Sequence, residues 1–197
     1  MIKGIKIVIF DVDDTLIYTI DTAYKKTNLA GKNTYNINLS KEQFLELYGR
    51  YNFDDCIRHW YNKEDINTFI ENYNSIKMDY EYIADIDKIV KNLKSKGIVV
   101  GIVTNSTIEK TNRKLNKYIE LFDFIFADAC KPDPHVFFNI IEKYHVKSSE
   151  VIYIGDSQND YLATKNANIN FCAVNTGKEK WNRENEITVV ESICELL

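Results

Sequence analysis

Five short apolar runs, separated by segments with helical spacing, are the feature that most constrains the fold of this chain. The runs occupy residues 5–10, 98–103, 124–127, 151–154 and 171–174. The first reads IKIVIF and is apolar apart from Lys6, which is typical of a strand buried on both faces. Segments with helical spacing lie between the later runs, at residues 108–118 and 134–144. Such alternation predicts an α/β fold with a mostly parallel sheet that is covered on both faces.

Residues 16–84 interrupt this alternation. The segment keeps helical spacing and is rich in aromatic residues such as Phe44 and Tyr48, and no run of alternating strand residues breaks it. Ser40 followed by Gln43 predicts a capping box at the start of the second helix. We therefore predict an α/β core formed by residues 1–15 and 85–197, with a helical domain inserted at residues 16–84.

Composition limits the classes of partner and the compartment. The 197 residues carry a formal charge of -4 and no block of Lys or Arg, so there is no field to gather a nucleic acid polymer. The apolar N-terminal run is interrupted by Lys6 and Asp11, too soon for a signal peptide or a membrane span. The four cysteines are scattered, which favours reduced thiols over a disulfide framework or a zinc site. These features predict a cytoplasmic protein with no membrane partner.

Polar clusters follow four of the predicted strands. They read DVDDT at 11–15, TNS at 104–106, KPDP at 131–134 and GDSQND at 155–160. Open parallel sheets place their sites at the carboxyl ends of the strands, beside a switch in strand order. Each cluster alone would also suit a solvated turn or a helix cap. Four clusters at one edge of the sheet predict a functional site.

The first cluster holds two carboxylates separated by one residue. Asp11 can attack phosphorus and form an aspartyl-phosphate, while Asp13 protonates the leaving oxygen and later takes a proton from the hydrolytic water. This division of roles suits hydrolysis of a phosphate monoester. Two aspartates and a phosphate dianion require a divalent cation and further positive groups.

Oxygen ligands of this kind predict a magnesium site. Asp11, Asp156 and the backbone carbonyl of Asp13 would supply the protein ligands, because Mg²⁺ prefers hard oxygen donors and retains several waters. The hydroxyl of Thr104 and the N–H of Asn105 lie at a strand-to-helix turn, where they can bind phosphate oxygens.

Lys131 completes the predicted set. Its ammonium group would balance the charge of Asp11 and of the transferred phosphoryl group.

These four clusters, in this order, resemble the motifs of the haloacid dehalogenase superfamily of phosphohydrolases. The resemblance implies a Rossmann-like three-layer sandwich with a small all-helical cap, and it covers residues 1–15 and about 85–177. An insert directly after the first motif is similar to the cap of phosphoglycolate-phosphatase-like and β-phosphoglucomutase-like members. Many members have Gly where this chain has Asp14. The resemblance also implies that Asp160 bonds Lys131 or a metal-bound water.

Three activities are compatible with these residues. The first is hydrolysis of a small phosphorylated metabolite, such as a sugar phosphate, phosphoglycolate or a nucleoside monophosphate. The second is a phosphosugar mutase that returns the phosphoryl group to the sugar. The third is a catalytically silent protein that binds a phosphorylated ligand, which the retention of Asp11, Asp13, Lys131 and Asp156 disfavours. The sequence does not predict the substrate, because the helical insert contains no diagnostic motif. It does not predict the oligomeric state either.

Overall fold

A computed structural model describes residues 3–48, 51–182 and 187–196. The chain forms two compact units, one of Met1–Tyr18 with Glu81–Leu197 and one of Thr19–Tyr80. The two connecting segments pair with each other inside the first unit. There the N–H of Tyr18 donates to the carbonyl of Glu81 at 2.9 Å, and the N–H of Ile83 donates to that of Leu16 at 2.9 Å.

A parallel sheet forms the centre of the first unit. Its six strands are β1 (Ile7–Phe10), β2 (Val99–Val103), β3 (Phe124–Phe126), β4 (Val151–Gly155), β5 (Asn170–Val174) and β6 (Thr188–Val190). Their spatial order is β3-β2-β1-β4-β5-β6, and all five pairings are parallel. The order changes direction at β1, which lies between β2 and β4.

Helices cover both faces of this sheet. The helices of the first unit are α5 (Ile86–Ser95), α6 (Ile108–Leu115), α7 (His135–Tyr144) and α8 (Gln158–Asn166). In β1, Ile7 and Ile9 join the core beneath α7 and α8, whereas Val8 and Phe10 alternate with them and face the other side. On that side α5 packs near β2 with four buried apolar residues, Ile86, Ile89, Val90 and Leu93. The result is a Rossmann-like three-layer sandwich.

The described residues of the second unit form four helices: α1 (Thr19–Tyr35), α2 (Lys41–Leu47), α3 (Phe53–Tyr61) and α4 (Asn67–Ser75). Its core is largely aromatic and contains Ala30, Leu39, Phe44, Ile57, Tyr61, Ile66 and Phe69. The predicted capping box is present, because Ser40 accepts the N–H of Gln43 and the Gln43 side chain accepts the N–H of Ser40. Helix α1 approaches α3 closely at Gly31, beside the ring of Tyr61.

The predicted fold class is confirmed, with local differences in the extent of elements. The five predicted strands agree with β1 to β5 to within two residues at either end. The predicted helix at 108–118 is wrong at its end, because α6 stops at Leu115 and a 3-10 turn, Asn116–Leu121, follows. Asn116 adopts a positive φ of 41° there, which interrupts the α-helical hydrogen bonding. Strand β6 was not predicted.

Two further expectations concern the cysteines and the membrane. Cys56 and Cys172 are buried, Cys130 and Cys194 are exposed, and all four are free thiols. Within the described ranges, no helix has both the length and the apolar character needed to cross a bilayer.

Candidate active site

The polar clusters lie at the carboxyl ends of neighbouring strands. Asp11 follows β1, and its N–H donates to the carbonyl of Ile154 in β4 at 2.9 Å. Asp156 follows β4 directly. Thr104 follows β2, and its N–H donates to the carbonyl of Phe126 at 3.0 Å. The clusters therefore meet where the strand order changes direction, which is the usual place for a ligand in an open α/β sheet.

A polar cavity of about 370 Å³ opens at this edge. Its lining comprises Asp11, Asp13, Asp14, Thr104, Asn105, Ser106, Thr107, Lys110, Lys131, Asp156, Ser157 and Asn159. Every lining residue belongs to the α/β unit. The dense concentration of carboxylates in this cavity suits a cation together with an anionic ligand.

Lys131 forms the centre of a buried ionic network. Its Nζ donates to Oδ1 of Asp11 at 2.8 Å and to Oδ1 of Asp160 at 2.5 Å. The three side chains are at most 9% exposed, so water screens these contacts weakly. Burial of one ammonium group between two carboxylates fixes the position of Asp11 and partly neutralises its charge.

Tyr153 supports the ammonium group of Lys131 from inside the sheet. Its hydroxyl accepts from Lys131 Nζ at 2.6 Å and donates to the carbonyl of Val103 at 2.7 Å. The ring is fully buried and packs edge-on against Phe137 at a centroid distance of 5.2 Å. Because the ring cannot move without disturbing this packing, the hydroxyl holds Lys131 in a defined position.

Two carboxylates in and beside this network, Asp11 and Asp156, have raised pKa values. Burial raises the pKa of Asp11 from its ordinary 3.8 to about 7; the Lys131 ammonium opposes this rise and the Asp160 carboxylate adds to it. Burial, followed by the nearby charges of Asp11 and Asp160, raises the pKa of Asp156 well above its usual range. Such shifts show that negative charge at this point is poorly compensated by the protein alone.

Three carboxylates lie close enough to hold a metal ion. One oxygen from each of Asp11, Asp156 and Asp160 falls within 4.8 Å of the others. Carboxylate oxygens suit Mg²⁺, and a divalent cation would offset both the burial and the carboxylate repulsion that raise the pKa of Asp11 and Asp156. Asp160 is already occupied by other partners, because its Oδ2 accepts the N–H of Ser157 at 3.0 Å and the Ser157 hydroxyl at 2.7 Å.

Asp156 is closely surrounded by residues of the segment after β5 and by Thr15, which follows β1. The indole N–H of Trp181 donates to the backbone carbonyl of Asp156 at 2.7 Å, and the Thr15 hydroxyl donates to its Oδ1 at 3.3 Å. A Cβ atom added at Gly177 would lie 1.9 Å from Oδ2 of Asp156. Only glycine therefore leaves room for this carboxylate in its present position.

Asp13 lies at the cavity wall and contacts α6. Its Oδ2 accepts the Ser106 hydroxyl at 2.7 Å, and its Oδ1 forms an ion pair with Lys114. The Asp13 side chain is 29% exposed, whereas the Lys114 side chain is 8% exposed. The two predicted catalytic carboxylates thus differ in setting, because Asp11 pairs with Lys131 and Asp13 pairs with Lys114.

The turn between β2 and α6 presents donor groups to the cavity. Thr104 is buried, and its hydroxyl accepts the N–H of Ser106 at 3.2 Å. The Asn105 side chain forms two bonds with the Lys131 backbone: Nδ2 donates to its carbonyl at 3.0 Å, and Oδ1 accepts its N–H at 2.7 Å. Asn105 therefore joins the β2 and β3 loops. Thr107 caps α6, whose N-terminus lies at the cavity.

Comparison with known proteins decides the family. The sequence model of the haloacid dehalogenase-like hydrolase family matches residues 8–174 of this chain, a range that includes all four motifs. The chain belongs to the haloacid dehalogenase-like hydrolase family. The prediction of an enzyme of this hydrolase class is thereby confirmed.

Relatives of this haloacid dehalogenase-like chain include curated proteins and a solved structure. A Clostridium perfringens protein, provisionally named pyrophosphatase PpaX, is 34% identical over 181 residues, which cover 86% of this chain and 84% of the relative. A glyceraldehyde 3-phosphate phosphatase of Pyrococcus furiosus is 28% identical over 188 residues, covering 83% and 78%. A subfamily IA hydrolase structure from Geobacter sulfurreducens superposes with a TM-score of 0.74 at 18% identity, covering 98% and 95%. That structural likeness supports the fold.

The predicted site residues of this haloacid dehalogenase-like chain lie together in the structure. Those that line the cavity are Asp11, Asp13, Thr104, Asn105, Lys131 and Asp156. Asp160 contacts Lys131, as the resemblance implied, and also belongs to the carboxylate group. The Asp13 carboxylate is not part of that group. It contacts Ser106 and Lys114, and the metal role predicted for the backbone carbonyl of Asp13 stays a prediction.

Asp14 has the backbone conformation expected of a glycine. Its φ is 53°, a left-handed conformation that Asp tolerates better than most residues. Its backbone carbonyl accepts the Thr176 hydroxyl, and the residue is buried. The positive φ gives a physical reason for the Gly of other members, and Asp14 adds a carboxylate to the cavity wall.

Sequence reasoning missed four contributors to the site: Ser106, Lys114, Tyr153 and Gly177. Ser106 was visible as a cap residue in the TNS cluster, but its bond to Asp13 depends on tertiary structure. Lys114 reads as one of several charged residues on a helix. Tyr153 carried a usable signal, because a hydroxyl in a fully buried strand requires a polar partner.

Proposed function

We propose that this chain is a magnesium-dependent phosphatase that hydrolyses a small phosphorylated metabolite through an aspartyl-phosphate at Asp11. The observation that carries the proposal is the pairing of buried Asp11 with Lys131, next to a second, partly exposed carboxylate on the same cavity wall. The family assignment and the phosphatase names of the relatives support the same reaction.

The first half of the reaction transfers the phosphoryl group to the protein. A carboxylate oxygen of Asp11 forms a bond to phosphorus as the bond from phosphorus to the ester oxygen breaks. Protonated Asp13 gives its proton to the departing oxygen, so an alcohol leaves and Asp13 becomes a carboxylate. The contacts of Lys131 fix the position of the Asp11 carboxylate at the cavity.

The second half releases phosphate. The Asp13 carboxylate takes a proton from water as the water oxygen bonds to phosphorus, and the bond from phosphorus to Asp11 breaks. Asp11 is regenerated as a carboxylate, Asp13 is again protonated, and inorganic phosphate leaves. One residue therefore serves as acid and then as base.

Positive and donor groups stabilise the charge that builds on the phosphoryl oxygens. Lys131 supplies a full charge, and the Thr104 hydroxyl, the Asn105 N–H and the N-terminus of α6 supply hydrogen-bond donors and a partial charge. Mg²⁺, held by Asp11, Asp156 and the carbonyl of Asp13, would neutralise the carboxylates and polarise the phosphoryl oxygens. The group formed by Asp11, Asp156 and Asp160 supports a site of this kind.

We further propose that the helical segment at residues 16–84 acts as a cap that excludes water and contributes to substrate choice. Its insertion directly after the first motif supports this role, as does its own aromatic core.

A phosphate-release assay tests the proposal. The panel contains sugar phosphates, 2-phosphoglycolate, glyceraldehyde 3-phosphate, nucleoside monophosphates and inorganic pyrophosphate, each with Mg²⁺ and with chelator. We expect turnover of at least one substrate that requires Mg²⁺ and is abolished by Asp11→Asn. The matched control is Asp87→Asn, which removes a carboxylate from the exposed Asp87–Lys91 pair and should leave turnover unchanged.

The same assay separates the rival activities. Isomerised sugar phosphate without phosphate release would identify a mutase. Ligand binding by folded wild type, without turnover of any substrate, would identify a silent binding protein. Either result would contradict the proposal.

A further inference from the structure

Both carboxylate oxygens of Asp13 are held, one by a residue of α6 and the other by a residue of the turn that precedes this helix. Lys114 contacts Oδ1, and the Ser106 hydroxyl donates to Oδ2 at 2.7 Å. Lys114 Nζ also donates to Ser106 Oγ at 3.0 Å, which links the two partners to each other. The fork formed by Lys114 and Ser106 therefore restrains the rotation of the Asp13 side chain.

Lys114 reaches Asp13 from behind the cavity wall. It is 7% exposed and lies on the buried face of α6 with Thr111 and Leu115. Asp13 and Ser106 line the cavity, whereas Lys114 does not belong to its lining. The Tyr82 hydroxyl donates to the Lys114 backbone carbonyl at 3.0 Å and anchors the end of the helix.

The burial of Lys114 requires an explanation. Burying an ammonium group is costly unless it is paired and hydrogen-bonded. Most lysines on helices of this kind remain solvated. The Asp13 carboxylate and the Ser106 hydroxyl supply partners for Lys114, so its burial and the position of Asp13 depend on each other.

We propose that Lys114, acting with Ser106, is a positioning residue that fixes the Asp13 carboxyl group against the cavity wall, where its protonated form transfers a proton to the leaving oxygen. This inference rests on the proposed function, in which Asp13 is the acid and base. Proton transfer depends first on geometry, and a displacement of about 1 Å can reduce the rate by about 100-fold. Lys114 contacts neither the phosphoryl group nor the metal position in this account.

The dependence of rate on leaving group tests the inference. An alkyl phosphate needs a proton from Asp13 to release its alcohol, whereas p-nitrophenyl phosphate releases a stable phenolate without one. The value of kcat/KM reports the steps up to the first irreversible release of alcohol or phenol. For Lys114→Met we expect kcat/KM to fall about tenfold or more with the alkyl substrate and less than about threefold with p-nitrophenyl phosphate, since a general acid contributes about 100-fold or more.

Ser106→Ala provides an independent variant if Lys114→Met fails to fold. It removes the other arm of the fork and should show the same selective loss for the alkyl substrate. Arg113→Met is the matched control, because Arg113 precedes Lys114 on α6 but is exposed. It should leave both values of kcat/KM unchanged.

A double-mutant cycle completes the test. In an Asp13→Asn background, Lys114→Met should cause no further loss with the alkyl substrate, because the group that it positions is absent. Equal losses for both substrates, or an additional loss in that background, would overturn the inference. Either of these two results, obtained with a wild type whose activity is abolished by Asp11→Asn, would leave the proposed function intact and overturn only the role of Lys114. A wild type with no activity at all would instead overturn the proposed function.

Discussion

Gly177 lies so close to Asp156 that a Cβ atom on Gly177 would stand 1.9 Å from a carboxylate oxygen. Real Cβ atoms do not approach other atoms so closely, so a larger residue must displace either the Asp156 carboxylate or the loop that carries residue 177. Asp156 is a proposed metal ligand. The absence of a side chain at residue 177 is therefore a requirement of the proposed metal site.

Gly177→Ala should weaken metal binding. Displacement of groups that orient a ligand typically reduces metal affinity by about 10–100-fold, so the Mg²⁺ concentration for half-maximal activity should rise at least about tenfold. A Mg²⁺ titration of phosphatase activity measures this change. Gly4→Ala is the control, because Gly4 has a φ of +86° but no atom within 4 Å of the added Cβ. That variant adds backbone strain without altering the metal requirement, and an unchanged requirement in Gly177→Ala would refute the prediction.

Tyr153→Phe should reduce both stability and turnover. Loss of the hydroxyl removes a partner from Lys131 and from the carbonyl of Val103 in a buried setting, which costs about 1–3 kcal/mol of unfolding free energy. We expect kcat to fall about tenfold because Lys131 loses a fixed support. Chemical denaturation and steady-state kinetics measure the two effects.

Tyr61→Phe is the matched control for that substitution. The Tyr61 hydroxyl donates to the carbonyl of Thr27 at 2.9 Å and is also buried, but it belongs to the helical unit. Its loss should lower stability while kcat for p-nitrophenyl phosphate stays near the wild-type value. A similar fall in kcat for both variants would mean that lost stability, and not the support of Lys131, explains the Tyr153 effect.

Asp11→Asn should stabilise the protein in chelator, increasingly so as the pH rises. The pKa of Asp11 is raised from 3.8 to about 7, so its favourable contribution is complete below pH 3.8 and is lost as the pH passes about 7. Asn does not titrate and avoids that loss. The Tm of the variant should therefore exceed that of wild type more at pH 8 than at pH 5.

Thermal unfolding scans in chelator measure this difference in Tm between the variant and wild type. A change of 1 kcal/mol in the free energy of unfolding corresponds to a shift of about 2–4 °C in Tm for a chain of this size. Added Mg²⁺ should raise the Tm of wild type more than that of Asp11→Asn, because the ion binds the native carboxylate. Asp87→Asn, at an exposed carboxylate, should show no comparable growth between pH 5 and pH 8. A difference that shrinks as the pH rises would contradict the assigned electrostatics.

Gly31→Ala should destabilise the helical unit. Alanine normally favours a helix interior over glycine by about 1 kcal/mol. Here the added Cβ would lie 2.2 Å from the Tyr61 hydroxyl oxygen, and that side chain is buried and bonded to Thr27. We expect a net loss of about 1–3 kcal/mol in denaturant unfolding. The loss should shrink in a Tyr61→Leu background; an equal loss there would exclude the Tyr61 contact as its cause.

Most residues that line the candidate site were identifiable from the sequence, because the polar clusters follow the ends of recognisable strands. Asp11, Lys131 and Asp156 each follow a recognisable strand or its loop, and a parallel sheet brings such ends together whatever the side chains are. Asp160 was assigned by its place in the fourth motif. The motifs therefore locate the residues without any knowledge of distances.

The partners of those residues were not predictable in the same way. Lys114 lies within a charged helical segment, and its burial depends on how α6 packs. Tyr153 lies in a strand where packing alone would explain an aromatic residue. Strand β6 is three residues long and, in the part of the chain that the structure describes, lies at the edge of the sheet next to β5, so it leaves little pattern in the sequence. A cytoplasmic location stays a prediction.

Chemical trapping of phosphorylated Asp11 tests the central claim most directly. In Asp13→Asn an activated donor such as p-nitrophenyl phosphate should still phosphorylate Asp11, because its leaving group needs no acid. Hydrolysis of the aspartyl-phosphate should slow, because the base is missing. Acid quench, borohydride reduction and peptide mass spectrometry should then find homoserine at residue 11, dependent on donor and Mg²⁺. Hydrolysis of the donor by wild type with no modification of residue 11 in this variant would contradict the account.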